Sequence, residues 1–231
     1  MLLARRSFLA RGHYRPLVNT IGALIIEHLA NMAGNFPADR CGILDVGCGE
    51  GYYLDDLRAY INHHNVTYLG MDIAKDAVRL AAKRRHDLHV AVADINAPLP
   101  FADRSLSVLL NIFAPHHPRE FARILAPAGT LVVVIPTPNH LSNLRAALPL
   151  LGIEEEKQRR TIARFSGFFE TMAITTIEYE IDLSNAELLD LVHMTPSARH
   201  LAPAAIDTMG KMESVRTAVG FDTLTFRNAP R

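Results

Sequence analysis

The sequence predicts an α/β fold, a doubly wound and mostly parallel sheet, and three observations carry that expectation. Short apolar, β-branched runs alternate with amphipathic helical stretches between Cys41 and Ile135, the pattern of βαβ units whose right-handed crossovers make a sheet parallel. The first of those runs passes directly into Gly47-Cys-Gly-Glu-Gly51, a strand-to-helix turn with three alternating glycines. A length of 231 residues with 49% hydrophobic content suffices for one well-buried core.

Each element follows from its local pattern. Leu17, Ile21, Leu24, Ile25 and Leu29 recur at helical spacing and predict a helix over 14–33 that packs on the sheet, with Pro37 and Asp39 ending it. Strands are then expected at Cys41–Val46, Thr67–Met71, His89–Ala93, Ser107–Phe113 and Thr130–Ile135. Helices are expected between them at Glu50–Ile61, Ala74–Arg85 and Arg119–Leu125. Past Pro136 the alternation loosens. Asn139–Leu150 reads as a helix, and the acids of Glu154–Arg160 stand four residues before arginines, Glu155 to Arg159 and Glu156 to Arg160, which supports an exposed helical segment that serves as a linker or lid. Thr171–Leu183 is rich in Ile, Thr and Tyr and predicts a long strand, Ala186–Val192 a helix and Leu224–Arg227 a closing strand.

Composition removes several function classes. Lys plus Arg equals Asp plus Glu at 24 each, so only the distribution of charge can speak for or against nucleic acid. The first twenty residues carry Arg5, Arg6, Arg11 and Arg15 without an acid, a basic local patch that is read either as a nucleic-acid contact or as a solvated helix face. Two cysteines, Cys41 and Cys48, cannot make a disulfide framework and suit a reducing cytoplasm. No apolar run reaches the length of a membrane span and the N-terminus has no signal core, so a cytoplasmic protein is expected. The pairs His63-His64 and His116-His117 lack partner ligands at a zinc spacing, so no metal is expected.

In a doubly wound sheet, ligands bind at the carboxyl ends of the strands, and those ends carry the candidate chemistry. Gly47, Gly49 and Gly51 let the backbone approach a nucleotide-like ligand, and the tight G-x-G-x-G spacing is not the dinucleotide fingerprint G-x-G-x-x-G. Preceded by Asp45, the loop resembles the first motif of S-adenosylmethionine-dependent methyltransferases, which wraps the methionine part of the cofactor. Asp72 ends the second strand, where two carboxylate oxygens suit the two ribose hydroxyls, with Ile73 beside it; the other reading of Asp72 is a turn former. Asp94 ends the third strand, where such enzymes accept from the adenine amino group, and Ile95 can pack on the base. The fourth strand ends in Asn111-Ile-Phe-Ala-Pro-His-His117, where the methyl acceptor belongs; His116 and Asn111 are the candidate catalytic residues, against the reading of both histidines as surface loop.

A more specific resemblance covers nearly the whole chain. Arg5-Arg6-Ser-Phe-Leu-Ala-Arg-Gly-His-Tyr14-Arg-Pro-Leu17, the loop Leu44–Tyr53, Phe113-Ala-Pro115, Pro138-Asn-His-Leu141 and Met194-Thr-Pro196 occur in that order and resemble the 23S rRNA guanine-N1 methyltransferases, which include enzymes of tylosin-type macrolide resistance. The resemblance implies a Rossmann-like methyltransferase sheet closed by an antiparallel strand pair. It also implies cofactor contacts at Tyr14, Gly49, Glu50 and His140, in addition to Asp45, Gly47, Gly51, Asp72, Ile73, Asp94 and Ile95 from the strand ends. It implies an rRNA partner, for which Arg5, Arg6 and Arg11 of the basic patch are the expected phosphate contacts, and a homodimer is a further expectation. The family carries an N-terminal zinc-binding module, and this chain resembles a member lacking it. Residues 1–231 are thus expected to be one S-adenosylmethionine-dependent methyltransferase domain, with a helical extension over 1–38, a cofactor-binding core over 39–136 and a C-terminal half over 137–231. The alternative readings are a small-molecule methyltransferase and a catalytically silent cofactor-binding partner subunit.

Overall fold

In the computed structural model, residues 1–32, 41–62, 65–148, 152–154, 156–195 and 208–228 are described. Helices α1 (Leu2–Ala10) and α2 (Arg15–Met32) precede strand β1 (Cys41–Val46). The chain then runs through α3 (Tyr52–Ile61), β2 (Val66–Asp72), α4 (Lys75–Arg84), β3 (Leu88–Val92), β4 (Leu106–Ile112), α5 (Pro118–Ile124) and β5 (Leu125–Pro136). The C-terminal half adds α6 (Ser142–Ala147), α7 (Lys157–Phe165), β6 (Phe169–Ser184), α8 (Asn185–Met194) and β7 (Ser214–Asn228).

The seven strands form one sheet in the order β3-β2-β1-β4-β5-β7-β6. The first five are parallel, and β7 pairs antiparallel with both β5 and β6. This is the doubly wound sheet with an antiparallel closing pair that the sequence led one to expect. Strand order reverses between β1 and β4, which opens a crevice at their carboxyl ends.

Period-two alternation along the central strands divides the core between the two faces of the sheet. Ile43, Val108, Leu110, Val132 and Val134 pack with Phe8, Leu17 and Ile21 of the N-terminal helices, Leu57 of α3 and Leu188 of α8. Leu44, Val46, Leu109, Leu131 and Val133 pack with Phe121 of α5 and Phe165 of α7. Helix α8 starts with a capping box, in which Ser184 and Glu187 satisfy each other's backbone donors.

The departures lie after Pro136. Helix α6 covers only Ser142–Ala147 of the expected 139–150, of which residues 149 and 150 lie outside those described. The acids ahead of α7 are not on the helix: Glu156 is its N-cap and pairs with Arg159 at 3.0 Å, three residues on, while Arg160 pairs with Glu154. The expected spacing of four fails because the helix starts later; Glu155 lies outside the described residues. Strand β7 is far longer than Leu224–Arg227, because its first half finds a continuous partner in β6 from Ser214 to Gly220.

Candidate active site

The glycine loop leaves β1 and turns back under the end of β2. Gly47, Gly49 and Gly51 take φ of 85°, 57° and 78°, left-handed values that disfavour a side chain. The N–H groups of Gly47 and Cys48 donate to the carbonyl of Met71 at 2.8 and 2.9 Å. A Cβ on Gly47 would lie 2.6 Å from that of Ala114, so the loop is wedged between the ends of β2 and β4. Asp72 braces it: Oδ2 accepts from Gly49 N–H at 2.9 Å and Oδ1 from Ala74 N–H at 2.8 Å. The turn-forming role weighed for Asp72 is therefore present, and each oxygen keeps a second lone pair for a ligand hydroxyl.

Two carboxylates beside the loop are buried without full partners. Asp45 is 1% exposed, and neither of its oxygens has a partner among the described residues. Burial pushes its pKa up to about 7, with the Arg5 guanidinium working against that rise. Glu50, also 1% exposed, accepts from Arg5 Nε through Oε2 at 3.0 Å, while Oε1 has no partner among the described residues. Orphaned buried oxygens are costly in a native fold unless something supplies donors or positive charge. This set of acceptors fits a cationic, hydroxyl-bearing ligand such as S-adenosylmethionine.

Further along the strand ends the surface turns apolar. Ile73 is 67% exposed, Val92 53% and Phe113 39%. Ile95 packs at the edge of the core, and Asp94 sits in an Asx turn, its Oδ1 accepting from the backbone and side-chain nitrogens of Asn96 at 2.9 and 3.1 Å. Ile73 thus follows the end of β2, and Asp94 and Ile95 follow the end of β3, the strand paired beside it.

On the other side of the crevice stands the Asn111–His116 pair. Asn111 Nδ2 donates to the carbonyl of Pro115 at 2.9 Å, which fixes the amide so that Oδ1 faces His116 Nδ1 at 2.6 Å. An amide oxygen only accepts, so Nδ1 carries the proton and the lone pair resides on Nε2. Burial, then Arg164 and Lys157, lower the His116 pKa to about 4, so the ring is neutral around pH 7. His117 differs: its ring accepts from Glu120 N–H at 3.4 Å and caps α5. Pro118 at the first turn of that helix is the sequence signal that separates the two, since proline favours the position just after a cap.

Tyr14 and His140 meet in an aromatic cluster that sequence reasoning left out. Phe221 of β7 lies 4.9 Å from Tyr14, 4.9 Å from His140 and 5.3 Å from Phe113, between ring centroids. Phe113 takes a left-handed φ of 54°, a strained conformation for an aromatic residue and one concentrated at functional sites. Burial also lowers the His140 pKa to about 4, and its Nδ1 accepts from Gly220 N–H at 3.4 Å.

The N-terminal arginines do not form a free patch. Arg5 turns inward to Glu50, and Arg11 pairs with Glu187 and Asp190 of α8 at 3.4 and 3.6 Å. His13 meets Glu187 at 2.9 Å, and Tyr179 of β6 donates to the His13 carbonyl at 2.8 Å. Only Arg6 of the three is exposed without an ion pair among the described residues. Of the three arginines expected to grip RNA, Arg5 and Arg11 thus meet acids distant in sequence, while Arg6 does not. Among the described residues no cluster of three or more metal-ligating side chains exists and no helix is long and apolar enough to cross a membrane; His63 and His64 lie outside those residues. A polar recess of about 430 Å³ lined by Arg58, Tyr68, Asp87 and His89 lies at the opposite, amino-terminal ends of β2 and β3, away from this chemistry.

A glycine loop at the switch point of a 3-2-1-4-5-7-6 sheet, with acids at successive strand ends, defines a class I S-adenosylmethionine-dependent methyltransferase. Residues 43–129 match the methyltransferase domain family. A provisionally named methyltransferase from Bacillus halodurans has the same fold, with a TM-score of 0.55 and 14% identity over 87% of this chain and 97% of that one. The 23S rRNA (guanine(748)-N(1))-methyltransferase of Streptomyces fradiae is 34% identical over 203 residues, 88% of this chain and 70% of the relative. A Micromonospora griseorubida protein provisionally named as a 23S rRNA (guanine-N(1)-)-methyltransferase is 34% identical over 214 residues, 89% of this chain and 71% of its own length. The chain belongs to the 23S rRNA guanine-N1 methyltransferase family.

Proposed function

We propose that this chain transfers a methyl group from S-adenosylmethionine to N1 of a guanine in 23S rRNA, with residues 1–231 acting as one domain. The observation that carries this reading is the pairing of two features at neighbouring strand ends: unsatisfied carboxylates in the glycine loop after β1, and an Asn-oriented, neutral His116 just after β4. Gly47, Gly49 and Gly51 with Asp45 and Glu50 hold the methionine part, Asp72 the ribose, and Ile73, Asp94 and Ile95 the adenine. Tyr14 and His140 close the site from the aromatic side.

When bound, the cofactor supplies an activated methyl on a sulfonium, an excellent leaving group. The protein has two tasks. It holds guanine N1 in line with the methyl, an alignment that can contribute roughly 7–11 kcal/mol. It also takes the N1 proton as the N1–CH3 bond forms and the methyl–sulfur electron pair returns to sulfur. His116 Nε2 receives that proton, because Nδ1 is already engaged by Asn111. A histidine with a pKa of about 4 is a weak base at neutral pH, so its share falls at the low end of the usual 10²–10⁴-fold range of general-base catalysis.

The cations nearest this acceptor site are on α7. Lys157, Arg159, Arg160 and Arg164 are carried by a helix without a single acid, and Phe165 of the same helix lies 5.3 Å from the His116 ring. The exposed pairs that Arg159 and Arg160 make with Glu156 and Glu154 are weak enough for a phosphate to displace. This helix, with Arg6, supports an RNA substrate better than Arg5 and Arg11 do.

Incubation with labelled cofactor and 23S rRNA, followed by mapping of the modified base, tests the reading. N1-methylguanine at one position and a steep loss of RNA affinity with salt are expected. Methylation confined to a small acceptor with no salt dependence would replace RNA with a small molecule, and cofactor binding without turnover on any acceptor would make the protein a silent partner.

A further inference from the structure

The Arg5–Glu50 pair does more than fasten α1 to the glycine loop. Glu50 engages the guanidinium only through Nε, at 3.0 Å, and no partner is present for Nη1 or Nη2 among the described residues. The group lies over the Tyr53 ring, its Cζ 5.9 Å from the centroid, and its Nε stands 3.4 Å from where a Cβ on Gly49 would be. Its forked edge is therefore held beside the loop with no protein partner among the described residues, on a side chain that is 23% exposed and so open to a ligand. Arginine in this state suits a planar carboxylate, which takes two parallel N–H bonds from the two terminal nitrogens. Beside it lie the opposite requirements: Asp45 with both oxygens unpartnered and Glu50 with Oε1 unpartnered. A cationic fork next to acceptor-only carboxylates is complementary to one kind of group, the zwitterionic head of an α-amino acid.

We infer that Arg5 is the receptor for the α-carboxylate of the methionine part of the cofactor, aimed by Glu50, and that α1 is a strap carrying it across the loop. The inference rests on the functional reading above. It reassigns Arg5 from the RNA to the cofactor and explains why this cation turns inward to the glycine loop. The strap is anchored from outside, because Arg11 and His13 tie the end of α1 and the turn after it to Glu187 of α8. Arg5 therefore stays in place before ligand arrives.

Two ligands that differ only in the amino-acid head test this. S-adenosylhomocysteine carries the head, and 5′-methylthioadenosine keeps the adenosine and sulfur without it. By calorimetry, Arg5→Gln is expected to weaken S-adenosylhomocysteine by about 10- to 100-fold, the range of lost charge-assisted hydrogen bonds, while leaving 5′-methylthioadenosine within about twofold. Arg5→Lys, which keeps the charge and loses the fork, recovers part of the affinity. Equal losses on both ligands would reduce Arg5 to a prop for the loop and overturn the inference. So would an unchanged cofactor affinity with weakened RNA binding, which would return Arg5 to the phosphates. If the wild-type protein bound neither ligand, the methyl-transfer reading itself would fall.

Discussion

The two walls of the crevice are built on opposite principles. The wall at the ends of β1 and β2 is polar and incomplete: Asp45 and Glu50 are buried with oxygens unpartnered among the described residues, and the half-buried Arg5 is engaged only through Nε. The facing wall is packed and satisfied. Asn111 spends its amide on His116 and Pro115, His140 accepts from Gly220, and Tyr14, Phe113, His140 and Phe221 lie against one another. An unsatisfied wall gains its missing partners when a ligand binds, so its residues govern affinity. A satisfied wall is already in its working arrangement, so on the proposed reading its Asn111–His116 pair should govern the rate, while Tyr14 and His140 cover the cofactor.

Substitutions should separate along that line. The largest effect is expected from Gly47→Val, which forces a β-branched residue into a left-handed φ and against Ala114. Cofactor binding by calorimetry should vanish and the melting temperature should fall; intact binding would mean that the loop is not the cradle. Gly49→Ala meets only the Arg5 side chain and should cost affinity more than stability. His116→Ala comes next, with turnover down on the order of 100-fold and cofactor affinity unchanged. A loss confined to cofactor affinity would move His116 to the other wall. Asp72→Ala, which removes a brace of the loop as well as an acceptor, should weaken cofactor by at least about tenfold and also lower thermal stability; Asp72→Asn should do less.

The smallest effect is a pH dependence in which the walls oppose each other. His116 and His140 titrate near 4 in the fold and near 6.5 when unfolded, so the unfolded chain binds more protons between those values. Their contribution to stability is whole above pH 6.5 and is lost as pH falls toward 4, by up to about 1.4 kcal/mol per unit for each ring. Asp45, raised to about 7, acts the other way and favours the folded state at the acid end of the same window. Stability of the ligand-free protein should therefore rise from pH 4.5 to 6.5, and more steeply in Asp45→Asn. A flat profile in both proteins would show that neither wall is buried as described.

How much of this could be read from the chain depends on how local each feature is. Strand β1 and the glycine loop are consecutive residues with their own period and turn chemistry, and they form where the pattern places them. Asp72 and Asp94 were legible as strand-end acids because strand ends in this architecture face the ligand. Arg5 was not, since its partner is 45 residues away and a run of arginines looks the same whether acids fold onto it or not. Phe221 was invisible for a related reason: the first half of β7 carries Arg216, Thr217 and Gly220, and its strand character comes from pairing with β6. His116 and His117 differ in role through contacts of their rings, and only Pro118 hints at the difference.

The order of the sheet also dictates when the site can come into being. Strand β7, last in the sequence, lies between β5 and β6, so it must insert between neighbours that have already been made. The segment bearing Arg5 and Tyr14 precedes the sheet in the sequence, yet the anchors of His13 on β6 and α8 are 166 and 174 residues later. Contacts this remote in sequence form late, after the long loops between them have closed. The backbone bonds of the glycine loop draw on β2, whereas the anchors of the N-terminal segment and the aromatic wall draw on β6, α8 and β7. On the proposed reading, a chain cut short before β6 should bind cofactor weakly and transfer no methyl group, which truncation and calorimetry can check.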